Sequence, residues 1–105
     1  MSRCDTRIED DCAVVALGGE VDLSWSAQVR REVLGALDRA PRVAVDLGAV
    51  SYIDSSGIAA LVEGFLAARG RGVTFELVNP SAPVLAVLRL ARLDRVFAIR
   101  TDAAG

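Results

Sequence analysis

Residues 45–61 read VDLGAVSYIDSSGIAAL and contain the junction between a strand and a helix. The apolar run at 43–47 is typical of a buried strand. Asp54 or Ser55 is placed to cap the helix that follows, because Asp and Ser are preferred at that position. Apolar residues then recur at spacings of three and four, which predicts an amphipathic helix. The buried side of this helix is predicted to consist of Ile58, Leu61, Val62, Phe65 and Leu66.

Strands and helices alternate outward from this junction in both directions. Polar turns, glycines and prolines separate the elements, and Ser24 is predicted to cap the first helix. The order β-β-α-β-α-β-α-β predicts an α/β domain with parallel pairs, right-handed crossovers and an antiparallel edge. Gly18 and Gly19 are expected to end the second strand. The predicted strands are 4–8, 12–17, 43–47, 73–78 and 96–99, the helices begin near 25, 55 and 84, and a frayed tail runs from 101 to 105.

Length and composition exclude several classes of protein. A chain of 105 residues is predicted to form a single domain over 1–105. It has no His and no Lys, which argues against a His general base, a catalytic triad, a P-loop and Schiff-base chemistry. The net charge of −2 argues against binding nucleic acid. Because its apolar runs fall short of the roughly 20 residues that span a bilayer, and its start does not resemble a signal peptide, we expect a cytoplasmic protein without membrane insertion.

The two cysteines, Cys4 and Cys12, do not form a cluster with the spacing of metal ligands. We expect both to be reduced and half-buried, as in a cytosolic protein. The sequence offers no other metal or cofactor site, so no cofactor is predicted.

The segment Asp54-Ser55-Ser56-Gly57 carries the most functional information. Two hydroxyls lie in the first turn of a helix, where the helix dipole and free N–H groups favour negative charge. A kinase could therefore modify Ser55 or Ser56. The alternative is that Asp54 and the serines only cap the helix. A serine hydrolase is a much weaker hypothesis, since the G-x-S-x-G pattern and a His are both absent.

Three stretches of the chain resemble the STAS domain family, which includes bacterial anti-sigma-factor antagonists and the cytosolic domains of sulfate transporters. The first is 45–61 with its D-S-S-G motif. The second, Gly19-Glu20-Val21-Asp22-Leu23, is similar to the G-E-L/V-D stretch before the first helix of the family. The third joins 73–81 to 87–94. The resemblance extends from about Cys4 to Ile99 and implies a mostly parallel mixed sheet of about five strands, with helices mainly on one side.

The resemblance also implies a role for each matching residue. Ser56 corresponds to the serine that accepts phosphate in the antagonists, and Asp54 and Ser55 match its flanking positions. Glu20 and Asp22 match an acidic stretch near that serine. The implied partners are an anti-sigma factor that is also a serine kinase of the histidine-kinase-like ATPase type, and a serine phosphatase. Such a protein is a binding partner and a substrate, not an enzyme.

Two further residues and one alternative function complete the predictions. Gly57 is expected to let another chain approach the backbone closely. Trp25 either packs at the start of the first helix or anchors a partner. The alternative function is a STAS subunit of a membrane ABC transport complex of the lipid-trafficking type, which would bind the ATPase subunit without any need for phosphorylation.

Overall fold

Five strands and three α-helices alternate along residues 2–101, the part of the chain that the computed structural model describes. The predicted order of elements is confirmed. Residues 102–105 of the predicted tail lie outside the described residues. The elements are β1 (Arg3–Glu9), β2 (Cys12–Val21), α1 (Leu23–Ala36), β3 (Arg42–Ile53), α2 (Ser55–Arg71), β4 (Thr74–Val78), α3 (Ala82–Leu90), a 3-10 turn (Leu93–Arg95) and β5 (Ala98–Arg100).

The sheet has the strand order β1-β2-β3-β4-β5. β1 is antiparallel to β2, and the two are joined by a tight turn in which Asp10 has a φ of 56°. The other neighbouring pairs are parallel, and in each pair a helix connects the two strands. These pairs are β2–β3, β3–β4 and β4–β5. Because successive right-handed crossovers step in one direction across the sheet, their helices share one face. The predicted mixed, mostly parallel α/β fold is confirmed.

β2 and β3 are both longer than predicted. Gly18 and Gly19 do not end β2, and β3 continues past its predicted end at 47 to Ile53. Two register shifts interrupt the pairing, and Gly19 has a φ of 75°. This irregular backbone lets the pair continue until Val21 lies opposite Ile53. An interruption that looks like a strand end in the sequence is therefore a bulge.

The core lies between the helices and the covered face of the sheet. Val29 and Val33 of α1 are buried, as is Leu37 at the end of that helix. On α2, Leu66 was predicted to be buried and is instead 57% exposed. The buried face of α2 is rotated by about one residue from the predicted face and consists mostly of small residues. Its members are Gly57, Ala60, Leu61, Gly64 and Ala68.

The small residues bring α2 very close to α1. A Cβ atom built on Gly64 would lie 2.4 Å from Cγ1 of Val33 and 3.2 Å from the ring of Phe75. Only a residue without a side chain fits at this crossing. Bulky apolar residues alone therefore do not reveal which side of α2 packs inward.

The two cysteines are free and half-buried, as predicted. Burial, reinforced by the nearby carboxylates of Glu32 and Asp5, raises the pKa of the Cys4 thiol to about 11. Within residues 2–101, no helix is both long and apolar enough to cross a membrane.

Candidate functional site

The candidate site lies where two neighbouring parallel strands end. Val21 at the end of β2 pairs with Ile53 at the end of β3. Each strand is followed by an aspartate, Asp22 or Asp54, that caps the next helix. The backbone N–H of Asp54 donates to the carbonyl oxygen of Val21 at 3.2 Å, which ties the two junctions together. The polar loops of two helix starts therefore form one edge of the domain.

Asp54 is the N-cap of α2. Its Oδ1 accepts hydrogen bonds from the backbone N–H groups of Ser56 and Gly57 at 2.9 and 3.1 Å. The same oxygen accepts the hydroxyl of Ser56 at 2.6 Å. The Ser56 hydroxyl makes the largest contribution to lowering the pKa of Asp54, and the N–H groups of Gly57, Ser56 and Leu23 lower it further. Asp54 is therefore ionised at neutral pH.

Asp22 caps α1 with nearly the same geometry. Its Oδ1 accepts the backbone N–H of Ser24 at 3.0 Å and the hydroxyl of Ser24 at 2.6 Å. The backbone angles agree as well, with φ and ψ of −114° and −171° for Asp22 and −106° and −173° for Asp54. The predicted cap, Ser24, is wrong, because the residue two positions earlier takes that place. The site thus contains two matching Asp–Ser pairs.

Of the two serines in the D-S-S-G motif, Ser56 lies deeper. Its side chain is half-buried and hydrogen-bonded to Asp54, whereas Ser55 is exposed at the first position of α2. Ser56 also lines a groove between α1 and α2.

Gly57 is buried against its own chain. A Cβ atom there would lie 2.7 Å from the carbonyl oxygen of Val21 and 2.8 Å from side-chain atoms of Val21 and Ile53. The expectation that Gly57 leaves room for another chain is therefore wrong, because the ends of β2 and β3 already fill that space. Its absent side chain lets α2 start directly beneath the strands.

The remaining predicted residues surround the two caps. Glu20 is exposed and lies opposite Tyr52 in the sheet. Trp25 is half-buried and is the third residue of α1. A hydrophobic staple joins the residue before the cap to the fourth helical residue, so Trp25 does not form one. Leu23 and Tyr52 are 77% and 51% exposed, so the caps have apolar surface beside them.

The groove between α1 and α2 has a volume of about 250 Å³. An ion pair crosses it: Nε of Arg30 donates to Oε2 of Glu63 at 2.6 Å. The sequence analysis did not assign Arg30 to the site. The signal that could have found it is its position on α1, at 30, which faces α2 once Val29 and Val33 are turned towards the core. The groove is lined by Ser26, Ala27, Arg30, Ser56, Ala59, Ala60 and Glu63.

Among residues 2–101, no group of three or more His, Cys, Asp or Glu side chains is arranged to hold a metal ion. The chemistry available at the site is that of hydroxyls, carboxylates and one guanidinium. It suits the binding of a protein surface and the modification of a serine.

The fold and the paired caps define a class of α/β domains with an antiparallel first strand and a serine in the first turn of the second helix. The family model described as "Mlab, STAS domain" matches residues 4–101. The chain therefore belongs to the STAS domain family, as the sequence motifs predicted.

Solved structures with this fold include both regulators and a transport-related protein. A candidate anti-sigma factor antagonist from Thermotoga maritima is 25% identical, with a TM-score of 0.84 and coverage of 92% of this chain and 85% of that one. The phosphorylated form of the Bacillus cell fate determinant SpoIIAA is 19% identical, with a TM-score of 0.72 and coverage of 99% and 95%. A sulfate transporter family protein from Wolinella succinogenes is 15% identical, with a TM-score of 0.76 and coverage of 90% and 80%.

Proposed function

We propose that this domain is an anti-sigma-factor antagonist that works in the cytoplasm by partner switching. In its unmodified form it binds an anti-sigma factor that is also a serine kinase of the histidine-kinase-like ATPase type. Phosphorylation of Ser56 releases it, and a serine phosphatase restores binding. The observation that carries the proposal is the Ser56 hydroxyl, which is held by Asp54 at 2.6 Å at the start of α2 in a residue that lines a groove. The domain itself is not an enzyme.

Ser56 is suited to accept a phosphoryl group. Its oxygen would attack the γ-phosphorus of the ATP bound to the kinase, forming an O–P bond and breaking the bond to the bridging oxygen of ADP. The hydroxyl proton passes to a base of the kinase, because Asp54, with its lowered pKa, is a weak proton acceptor. In the reverse branch, water attacks the phosphoserine, and inorganic phosphate leaves as the hydroxyl is restored.

Release follows from charge. A phosphoserine carries about −1.5 to −2 charges at neutral pH, next to the ionised Asp54. In a contact surface this charge is costly to desolvate and is repelled by carboxylates on both sides of the loop. A shift from 99% bound to 1% bound requires about 5.5 kcal/mol of differential affinity, which is on the scale of the cost of burying a charged phosphate in a contact surface. The domain itself need not refold.

The surface beside the caps supplies the means of binding. Leu23 and Tyr52 are exposed apolar side chains next to the polar loops, and Trp25 is half-buried close by. Interfaces are enriched in aromatic residues at their centres and surrounded by polar groups. We propose that these three side chains, with Glu20 and Asp22, contact the kinase.

The test is an affinity pull-down from host lysate, with captured proteins identified by mass spectrometry. The baits are the wild type, Ser56→Ala and Ser56→Asp. Thr74→Asp is the matched control, because it adds the same charge at an exposed position at the opposite end of the sheet. We expect the wild type, Ser56→Ala and Thr74→Asp to hold a histidine-kinase-like ATPase, and Ser56→Asp to lose it.

A different result would point to the transport hypothesis. If all four baits hold the ATPase subunit of a membrane transporter equally, the domain is a structural subunit of that complex and Ser56 serves only the helix cap. If Thr74→Asp also loses the kinase, the effect does not depend on where the charge is added. That outcome contradicts the proposed switch.

A further inference from the structure

The groove between α1 and α2 joins Ser56 to one cation. Ser56 lies in the first turn of α2, and Glu63 lies two turns further along the same helix. Arg30 reaches Glu63 across the groove from α1. The space of about 250 Å³ is several times the volume of one water molecule in the liquid, so it has room for a phosphoryl group. Arg30 is the one positively charged residue among those that line it.

A phosphoryl group on Ser56 cannot remain where the hydroxyl proton now points. The Asp54 carboxylate occupies that direction, and its ionised form repels the added charge. The nearest helical N–H groups, those of Ser56 and Gly57, already donate to Asp54 Oδ1. The groove beside the cap is open space that Ser56 lines, and we expect the phosphoryl group to turn into it.

We propose that Arg30 receives the phosphoryl group of phosphorylated Ser56. Its present contact with Glu63 uses Nε, so both terminal amino groups of the guanidinium remain able to donate. Arginine binds phosphate through paired N–H groups. Such charge-assisted hydrogen bonds are stronger than hydrogen bonds between neutral groups. A phosphate dianion also attracts the guanidinium more strongly than the single charge of Glu63. Phosphorylation would then draw Arg30 from Glu63 and leave that carboxylate unpaired.

This inference rests on the proposed phosphorylation of Ser56 and adds a second consequence to it. The modified domain differs from the unmodified one in two places: a new charge at Ser56 and a broken ion pair at Arg30 and Glu63. A partner that contacts the groove would meet both changes. Arg30 is thus a positioning residue for the phosphate.

The test places phosphoserine at position 56 during translation, so that no kinase is needed. The second ionisation of the phosphate is then followed by ³¹P NMR as a function of pH. We expect Arg30→Gln to raise the phosphate pKa by about 0.3 to 0.7 units, as loss of a partly exposed ion pair implies. Arg31→Gln removes the same charge from the next residue of α1, which is exposed and does not line the groove.

The two arginine variants decide the result. The shift for Arg31→Gln should be less than half that for Arg30→Gln, because solvent screens the more distant charge. Glu63→Gln should lower the phosphate pKa, since it frees Arg30 and removes a carboxylate. Equal shifts in both arginine variants would overturn the assignment of Arg30. That outcome would leave the proposed function intact, because the pull-down, and not this titration, tests whether a kinase recognises Ser56.

Discussion

The carboxylate of Asp54 caps α2 and at the same time accepts the hydroxyl of Ser56. Its Oδ1 accepts the N–H groups of Ser56 and Gly57, in the first turn of α2, and the hydroxyl of Ser56. Any modification of the Ser56 hydroxyl therefore removes the hydrogen bond that contributes most to stabilising the charged form of Asp54. The helix start and the reactive hydroxyl are coupled through this single group.

The lowered pKa of Asp54 predicts how stability depends on acid. A carboxyl whose pKa is lower in the folded state stabilises the fold above its unfolded value of about 3.9 and loses that contribution as pH falls through the folded pKa. We expect Asp54→Asn, which keeps a good cap, to lose this part of the acid dependence. Urea unfolding between pH 2 and 6 measures it, with Asp10→Asn as the control, because Asp10 is exposed and Asn also tolerates its positive φ. Identical slopes for both variants would contradict the prediction.

Cys4 predicts the opposite behaviour in alkali. Its thiol has a pKa of about 11 in the folded protein, above the ordinary value near 9. The neutral thiol is favoured by folding, so this contribution to stability is complete below about pH 9 and is lost as pH rises towards 11. Thiolate absorbance near 240 nm in Cys12→Ala, which retains only Cys4, should show a midpoint near 11. A midpoint close to 9 would show that the side chain is solvated.

At the residue scale, the sequence was most informative where one local motif carries the chemistry. Asp54 and Ser56 could be found because a cap and its partner are neighbours in the chain. Asp22 was singled out only by the family resemblance, since the local pattern placed the first cap at Ser24. The contact of Arg30 with Glu63 depends on how two helices cross, and the surroundings of Gly57 include the end of β2, which is distant in sequence.

Among the elements, α2 packs inward through residues that a hydrophobic pattern underweights. Gly57 and Gly64 are buried because backbone and side chains of other elements approach them more closely than a Cβ atom permits. Leu66, larger and more apolar, is left exposed. A hydrophobic pattern favours the helix face with the largest apolar side chains. The short distance between α1 and α2 instead requires the face with the smallest side chains.

Two glycines of α2 give a matched test of this packing. Gly57→Ala should destabilise the domain by about 1 to 3 kcal/mol, because the new methyl group meets the carbonyl oxygen of Val21 and the helix must shift. Gly70→Ala, near the other end of the same helix, has open space around it and should stabilise the domain by up to about 1 kcal/mol. Thermal unfolding distinguishes them. A stabilising Gly57→Ala would mean that the strand ends yield easily.

The end of β2 also could not be predicted from the local sequence pattern. Gly18 and Gly19 read as the end of β2, since glycine weakens strands. In the sheet they allow a bulge, and β2 continues to Val21. Whether a glycine pair ends a strand or bends it depends on the neighbouring strand, here β3, which a local pattern does not contain.

At the scale of the whole molecule, the helices within residues 2–101 pack on one face of the sheet. Charged side chains of neighbouring strands pair with one another on the opposite face. Glu76 takes part in ion pairs with Arg42 at 3.4 Å and Arg100 at 3.3 Å. Ala44, which is paired with Glu76 in the sheet, is only 2% exposed. The stems of the charged side chains thus shield this face while their charged ends remain in water.

The position of each strand in the sheet predicts its protection from hydrogen exchange. β2 and β3 are central and have long pairings, whereas β5 has three residues and lies at an edge. Amides of β2 and β3 should exchange slowest, by global unfolding, and those of β5 by local opening. Exchange followed by NMR would show this order. Equal protection in β3 and β5 would mean that the sheet opens only as a unit.

The matched caps at Asp22 and Asp54 have a consequence for recognition. The two serines differ little in what their immediate neighbours offer, since each hydroxyl lies 2.6 Å from an aspartate oxygen. An enzyme that inspected only these few atoms would treat Ser24 and Ser56 alike. Ser24 is thus a built-in competing site. The ratio of modification at Ser56 to modification at Ser24 would measure how strongly the enzyme depends on contacts beyond the cap.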